Sequence, residues 1–142
     1  MKIVVDANVV FAALTKNSIT RELLLYLFIK YYSPDFLLSE LQKHKKELMA
    51  KSHLSDAAYG ETIRLLLSNV KVVSRFAYGS EIKRALKVIG YLDKDDVAYL
   101  ALSAAIEADG IWTYDKHFEK QREVKALKTK DIAVIVKQGK KI

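Results

Sequence analysis

Short apolar runs alternate along this chain with longer stretches of helical period. "KIVV", residues 2–5, is a continuous β-branched run, the pattern of a strand covered on both faces. "VVFAALT" and "ITRELLLYLFIK" read as helix, broken at "KNS". In "YYSPDFLLSELQKHKKELMAKS", Ser33, Pro34 and Asp35 offer a hydroxyl cap, a first-turn proline and an early acid. Leu37, Leu41 and Leu48 share one stripe, so the pattern predicts a helix from Pro34 to about Lys51. "LSDAAYGETIRLLLSNV" predicts a helix capped by Ser55, "VKVVS" a strand, and "SEIKRALKVIGYL" a further helix. "DKDDVAYLALSAAIEADG" reads as a helix with Asp93 as its cap and Gly110 as its stop, and "GIWTYD" as a short strand. The tail is divided: "DIAVIVKQG" has the β-branched content of a strand, yet Thr129 looks like a helix cap.

This alternation predicts an α/β fold around a mainly parallel sheet. No repeat, low-complexity segment or Pro/Gly linker divides the chain, so residues 1–142 are expected to form a single domain. With 51% hydrophobic residues the chain can bury a proper core. No apolar run reaches the roughly 20 residues of a membrane span. The first residues do not read as a signal peptide. The absence of cysteine excludes disulfides, thiolate catalysis and thiolate metal sites, and the expected compartment is the reducing cytoplasm. A formal charge of +7 favours polyanionic partners, chiefly nucleic acid, although a lysine-rich solvated surface would give the same number.

Four acids change this picture. Asp6 and Asp115 each end an apolar strand, Glu40 lies in the second turn of its helix, and Asp96 lies in the first turn of the "DKDDVAYLALS" helix. In an open parallel sheet, strand carboxyl ends and helix amino ends share one edge, so all four can converge there. Each also has an ordinary explanation: Asp6 as cap or turn residue, Glu40 as an exposed helix residue, Asp96 as an answer to the helix dipole, Asp115 as a turn residue. Together those explanations weaken, because Asp6 and Asp115 interrupt apolar strands at equivalent points. Clustered carboxylates repel one another, and divalent cations relieve that repulsion. Oxygen ligands without cysteine suit Mg²⁺ or Mn²⁺, one ion or two, and such a site supports hydrolysis of phosphodiester bonds. Lys16, Arg21, Lys43, Lys45, Lys46 and Lys116 are the basic candidates for holding a nucleic-acid strand.

"VVDANVVFAAL", "FLLSELQKH", "DKDDVAYLALS" and "GIWTYDKHF" resemble, in order and spacing, the successive signatures of the PIN-domain ribonucleases, a family that includes VapC-type toxins. The resemblance runs from Ile3 to about Phe118 and, by layout, covers the whole chain. It implies a three-layer α/β/α domain with four or five parallel strands and a metal-dependent endoribonuclease site. On this resemblance Asp6, Glu40, Asp96 and Asp115 are the acidic quartet. Asn8 is a supporting polar residue, and Thr113 a hydroxyl able to bind a ligand or a metal-held water. Asp95 is the second choice for the third acid, about 100° away on the helix. The family layout also places a strand near "VKAL" and a closing helix from Thr129. It implies RNA as substrate, an antitoxin protein as partner in the toxin case, and a homodimer. "LLLYLFIKYY" is more apolar than one core face needs and offers a dimer surface, although simple core packing explains it first.

Two other classes remain open. An aspartate-based phosphotransfer domain also places an Asp after its first strand, but the haloacid-dehalogenase kind wants a second Asp where this chain has Asn8, and none of that class predicts Glu40 within a helix. A catalytically silent RNA- or partner-binding module would keep the same fold. His44, His53 and His117 read as surface residues; His117, two after Asp115, is the one near the acids.

Overall fold

The computed structural model describes residues 1–15, 18–90 and 94–139. Five strands, β1 (Lys2–Val5), β2 (Lys30–Pro34), β3 (Val70–Val73), β4 (Gly110–Trp112) and β5 (Ala126–Leu127), form one sheet in the order β3-β2-β1-β4-β5. Every pairing is parallel. The chain lays β2 and β3 outward on one side of β1, then crosses back to put β4 and β5 on the other. The strand order therefore reverses between β1 and β4, and the crevice at their carboxyl ends is where open α/β sheets bind ligands.

The helices are α1 (Ala7–Thr15), α2 (Ser18–Leu24), α3 (Phe36–Lys43), α4 (Lys45–Ser52), α5 (Asp56–Leu66), α6 (Arg75–Tyr78), α7 (Ile82–Ala85), α8 (Val97–Ala105) and α9 (Thr129–Gly139). α8 lies against β1, β2 and β4 and carries α6 and α7 on its outer side. α1 packs with α2, α3, α4 and α5, and α9 packs on α2 and β5. With helices flanking the sheet, Ile3, Val4, Val5, Ile111 and Trp112 are all fully buried. That accounts for the continuous apolar run of β1, which has no solvent face to be polar.

Several elements follow the sequence pattern. Ser55 caps α5, its hydroxyl accepting the Ala58 N–H at 3.2 Å. Leu37, Leu41 and Leu48 are buried as their stripe requires. The tail resolves as the short strand β5 followed by α9. Ile132 and Val136 of α9 are buried while Val134 is half-exposed, a helical rather than an alternating pattern.

Other expectations are corrected. Ser33 and Pro34 do not open a helix; they end β2, a strand that the helical reading of "ITRELLLYLFIK" and "YYSPDF" concealed. The Ser33 hydroxyl is buried and donates to the Val5 carbonyl at 3.0 Å. Proline is tolerated here because it stands last in the strand, and the next residue, Asp35, donates its N–H to Val73 at 2.9 Å. The helix expected from Pro34 to Lys51 is two helices that meet at His44, whose imidazole packs edge-on against Phe11 with ring centroids 5.5 Å apart. "SEIKRALKVIGYL" is not one helix but α7 between a 3₁₀ turn, Gly79–Glu81, and a π turn, Leu86–Gly90. Gly110 is no helix stop: α8 ends at Ala105, Glu107 turns the chain with φ 53°, and Gly110 begins β4. The proposed Asp93 cap and part of the "KNS" break lie outside the described residues. Within "LLLYLFIKYY", Leu23, Leu24, Ile29 and Tyr31 are core, whereas Leu27 and Phe28 are exposed.

Candidate metal centre

Asp6 is the first residue past β1, the central strand, and its N–H donates to the Trp112 carbonyl at 3.0 Å. β1 and β4 are thus tied together where both strands end. The carboxylate is 3% exposed, and burial, opposed by a hydrogen bond from Thr113 and reinforced by the charges of Glu40 and Asp115, pushes its pKa up to about 6. Thr113 sits on the matching loop past β4. Its hydroxyl donates to Asp6 Oδ2 at 2.7 Å and accepts the Asp115 N–H at 2.9 Å. One buried side chain therefore fixes two of the acids. Its single proton is committed to Asp6, so it is placed as a positioning residue and not, in this arrangement, as a donor to water.

Asp115 caps the 3₁₀ helix Lys116–Lys120 by accepting the His117 N–H at 2.9 Å, and this brings the imidazole back over the site. His117 Nδ1 lies 3.2 Å from Asp115 Oδ1 and 3.4 Å from Asp96 Oδ2. Asp96, 5% exposed, is the residue that opens α8. Asp96, Asp115 and His117 offer ligand atoms that all lie within 4.8 Å of one another.

Glu40 joins from α3. The Tyr99 hydroxyl of α8 donates to Glu40 Oε1 at 2.8 Å. Desolvation raises the Glu40 pKa, the Tyr99 bond lowers it, and the charge of Asp95 raises it. Burial and the neighbouring charges of Glu40 and Asp6 hold the Tyr99 hydroxyl well above the usual tyrosine range, so it stays a donor.

The four acids expected from the sequence thus reach one sheet edge, with Asp6 and Glu40 beside the tighter group of Asp96, Asp115 and His117. Asp95 is exposed and lies next to Glu40 in a shallow depression. Asn8 is exposed in the first turn of α1. His117 was not singled out from the sequence as a ligand; its spacing of two from a capping Asp was the available signal. Among the basic candidates, Lys43, Lys46 and Lys116 are exposed, and Arg21 donates Nε–H to the Ala13 carbonyl at 2.9 Å. Lys45 is turned onto α5, 2.5 Å from Asp56 and over the Tyr59 ring, and so is tied up in the fold. Lys16 lies outside the described residues.

A buried carboxylate at Asp6 with one side-chain hydroxyl donor, crowded by two further acids, is costly without a cation. The set of carboxylate oxygens and one imidazole nitrogen fits a divalent ion.

A family model for the PIN domain matches residues 4–135. The chain belongs to the PIN domain family. Its fold is also similar to the crystal structure of VapBC2 from Rickettsia felis bound to a DNA fragment from their promoter, with TM-score 0.64 and 16% identity over 90% of this chain and 98% of that one. No curated protein matches the sequence. In this PIN domain the acids fall at the switch between β1 and β4, and Thr113 and Tyr99 hold two of them from behind. Among the described residues no helix is long and apolar enough to cross a membrane.

Proposed function

We propose that this PIN domain is a Mg²⁺- or Mn²⁺-dependent endoribonuclease. The observation that carries the reading is the meeting of Asp6, Glu40, Asp96, Asp115 and His117 at one sheet edge of a chain whose net charge is +7. A divalent ion supplies a lowered pKa for its water and neutralises charge on the scissile phosphate. Asp6, Asp96 and Asp115 would hold the ion with Glu40, and the His117 nitrogen would favour Mn²⁺ within the pair. Thr113 and Tyr99 keep the Asp6 and Glu40 oxygens aimed into the site. Lys43 and Lys116, beside Glu40 and Asp115, offset the acids and draw the RNA backbone in. The likeness to a VapBC complex supports the toxin of a toxin–antitoxin pair, with an antitoxin as protein partner. The exposed Leu27 and Phe28 support a homodimer.

The test is cleavage of single-stranded RNA by the purified full chain in Mn²⁺ or Mg²⁺. Asp6→Asn and Asp96→Asn are expected to lose cleavage, by about a hundredfold or more, with unchanged circular dichroism, and EDTA is expected to stop the wild type. Full activity in either variant or in EDTA would remove the mechanism. RNA binding without turnover by the wild type would make the domain a binding module.

A further inference from the structure

The stretch "WTYD", residues 112–115, serves two sides of the molecule. Successive side chains of an extended chain point in opposite directions. Thr113 and Asp115 turn to the acidic centre, whereas Trp112 and Tyr114 turn to α2 and α9. The Trp112 indole Nε1–H donates to the hydroxyl of Thr129, the first residue of α9, at 3.1 Å. The Tyr114 hydroxyl lies 2.7 Å from the same Thr129 oxygen. It also lies 2.8 Å from the hydroxyl of Thr20, a fully buried residue of α2. With one proton and two lone pairs, it can donate to one threonine and accept from the other. The closing helix, α2 and the exit of β4 thus meet at one hydroxyl. The Thr113 N–H, donating to the Leu127 carbonyl at 3.0 Å, ties the same exit to β5, just ahead of α9.

We propose that Tyr114 is a positioning residue of the metal centre, and that its hydroxyl, held between Thr20 and Thr129, lets the docking of α9 set the affinity for the divalent ion. The inference rests on the metal-dependent reading of the acids. Tyr114 acts through its chain neighbours. Thr113 holds both Asp6 Oδ2 and the Asp115 N–H, and Asp115 caps the turn that returns His117 to the site. Asp6, Asp115 and His117 therefore all take their places from residues 113–117. A centre stays tight only while its ligand atoms keep within about 0.5 Å of the productive geometry. Packing alone does not pin this loop, because Tyr114 is 43% exposed. The two hydroxyl contacts supply the missing restraint. A phenylalanine at this position would keep the ring and make neither bond. By reciprocity, whatever tightens the seating of α9 tightens the ion, and the ion in turn tightens α9.

Mn²⁺ binding is read by calorimetry on the full chain without RNA, well below the melting temperature. Tyr114→Phe and Thr129→Val are each expected to raise the Mn²⁺ Kd by about tenfold. The double variant is expected to lose no more than either alone, because both substitutions open the same clamp. Thr129→Ser, which keeps the hydroxyl, is expected to hold the Kd within about twofold of wild type. Trp112 is the only tryptophan, so its emission reports the clamp in the metal-free chain. A shift is expected in Thr129→Val and none in Thr129→Ser. Thermal unfolding of the metal-free variants separates a role confined to stability. A lower melting temperature with an unchanged Kd in Tyr114→Phe would overturn the proposal. Losses that multiply in the double variant would also overturn it, since the two hydroxyls would then act separately. If the wild type binds Mn²⁺ without cutting RNA and Tyr114→Phe weakens that binding, the positioning role stands and the nuclease reading falls. If the wild type cuts RNA in Mn²⁺ and Tyr114→Phe keeps the Kd, the reverse holds. A wild type that binds no Mn²⁺ overturns both.

Discussion

Asp6 concentrates the energetics of the site in one residue. Its folded pKa of about 6 exceeds the ordinary 3.8, so between those values the folded protein holds a proton that the unfolded chain has lost. Metal-free stability from this group is greatest below about pH 4 and falls as pH rises towards 6. At about 1.4 kcal/mol for each pH unit between the two values, the penalty at neutral pH is roughly 3 kcal/mol. Asp6→Asn is therefore expected to raise the melting temperature of the metal-free protein at pH 7.5 and to leave it unchanged near pH 4. Added Mn²⁺ should stabilise the wild type and not the variant, as thermal unfolding in EDTA and in Mn²⁺ would measure. A variant that melts below the wild type at both pH values would show that the Asp6 charge is not strained. The acids were legible in the sequence because a carboxylate closing an apolar strand has few cheap explanations. His117 was not, because its importance comes from a cap that folds the ring back on Asp115 and Asp96, and a single histidine among charged residues carries no periodic mark.

Elements that pack without specific chemistry are legible in the sequence, and those whose ends double as something else are not. Ser-Pro-Asp marks a helix start in isolation, but Ser33 answers the Val5 carbonyl and Pro34 closes β2. The break at His44 contains neither glycine nor proline, so nothing local announced it. Gly110 is the clearest case of a residue whose reason is tertiary. A Cβ there would lie 2.5 Å from Leu127 Cδ1 and 3.1 Å from the Lys125 carbonyl, which itself accepts the Ile111 N–H. Leu127 is buried and has no room to swing clear, so the contact would push β4 and β5 apart. Gly110→Ala is expected to cost about 1–3 kcal/mol, seen as a lower urea midpoint. Because β4 carries Thr113 and Asp115 at its far end, Mn²⁺ affinity should fall in the same variant.

For the whole molecule, the α/β class and the parallel sheet followed from the alternation of elements, but the strand order did not. Only the pairings show that β1 is central and that β4 returns beside it. The charge belongs to this scale as well. A basic chain built around an acidic pocket should bind RNA through several phosphate contacts, so cleavage is expected to slow steeply as salt rises from about 50 to 200 mM. Initial rates over a KCl series would measure this, and salt-independent turnover would remove the role assigned to the surface lysines.

The bond from Thr113 to Asp6 joins residues 107 positions apart. A ribosome making this chain releases β1 early, yet Asp6 gains its neighbour only after β4 and its loop have emerged. Parallel strands cannot pair until their crossovers are complete, and such long-range closures come late in folding. No nascent or truncated chain ending before Asp115 carries the full set of acids. The centre is thus a product of long-range closure, and no fragment that stops short of β4 can hold it together.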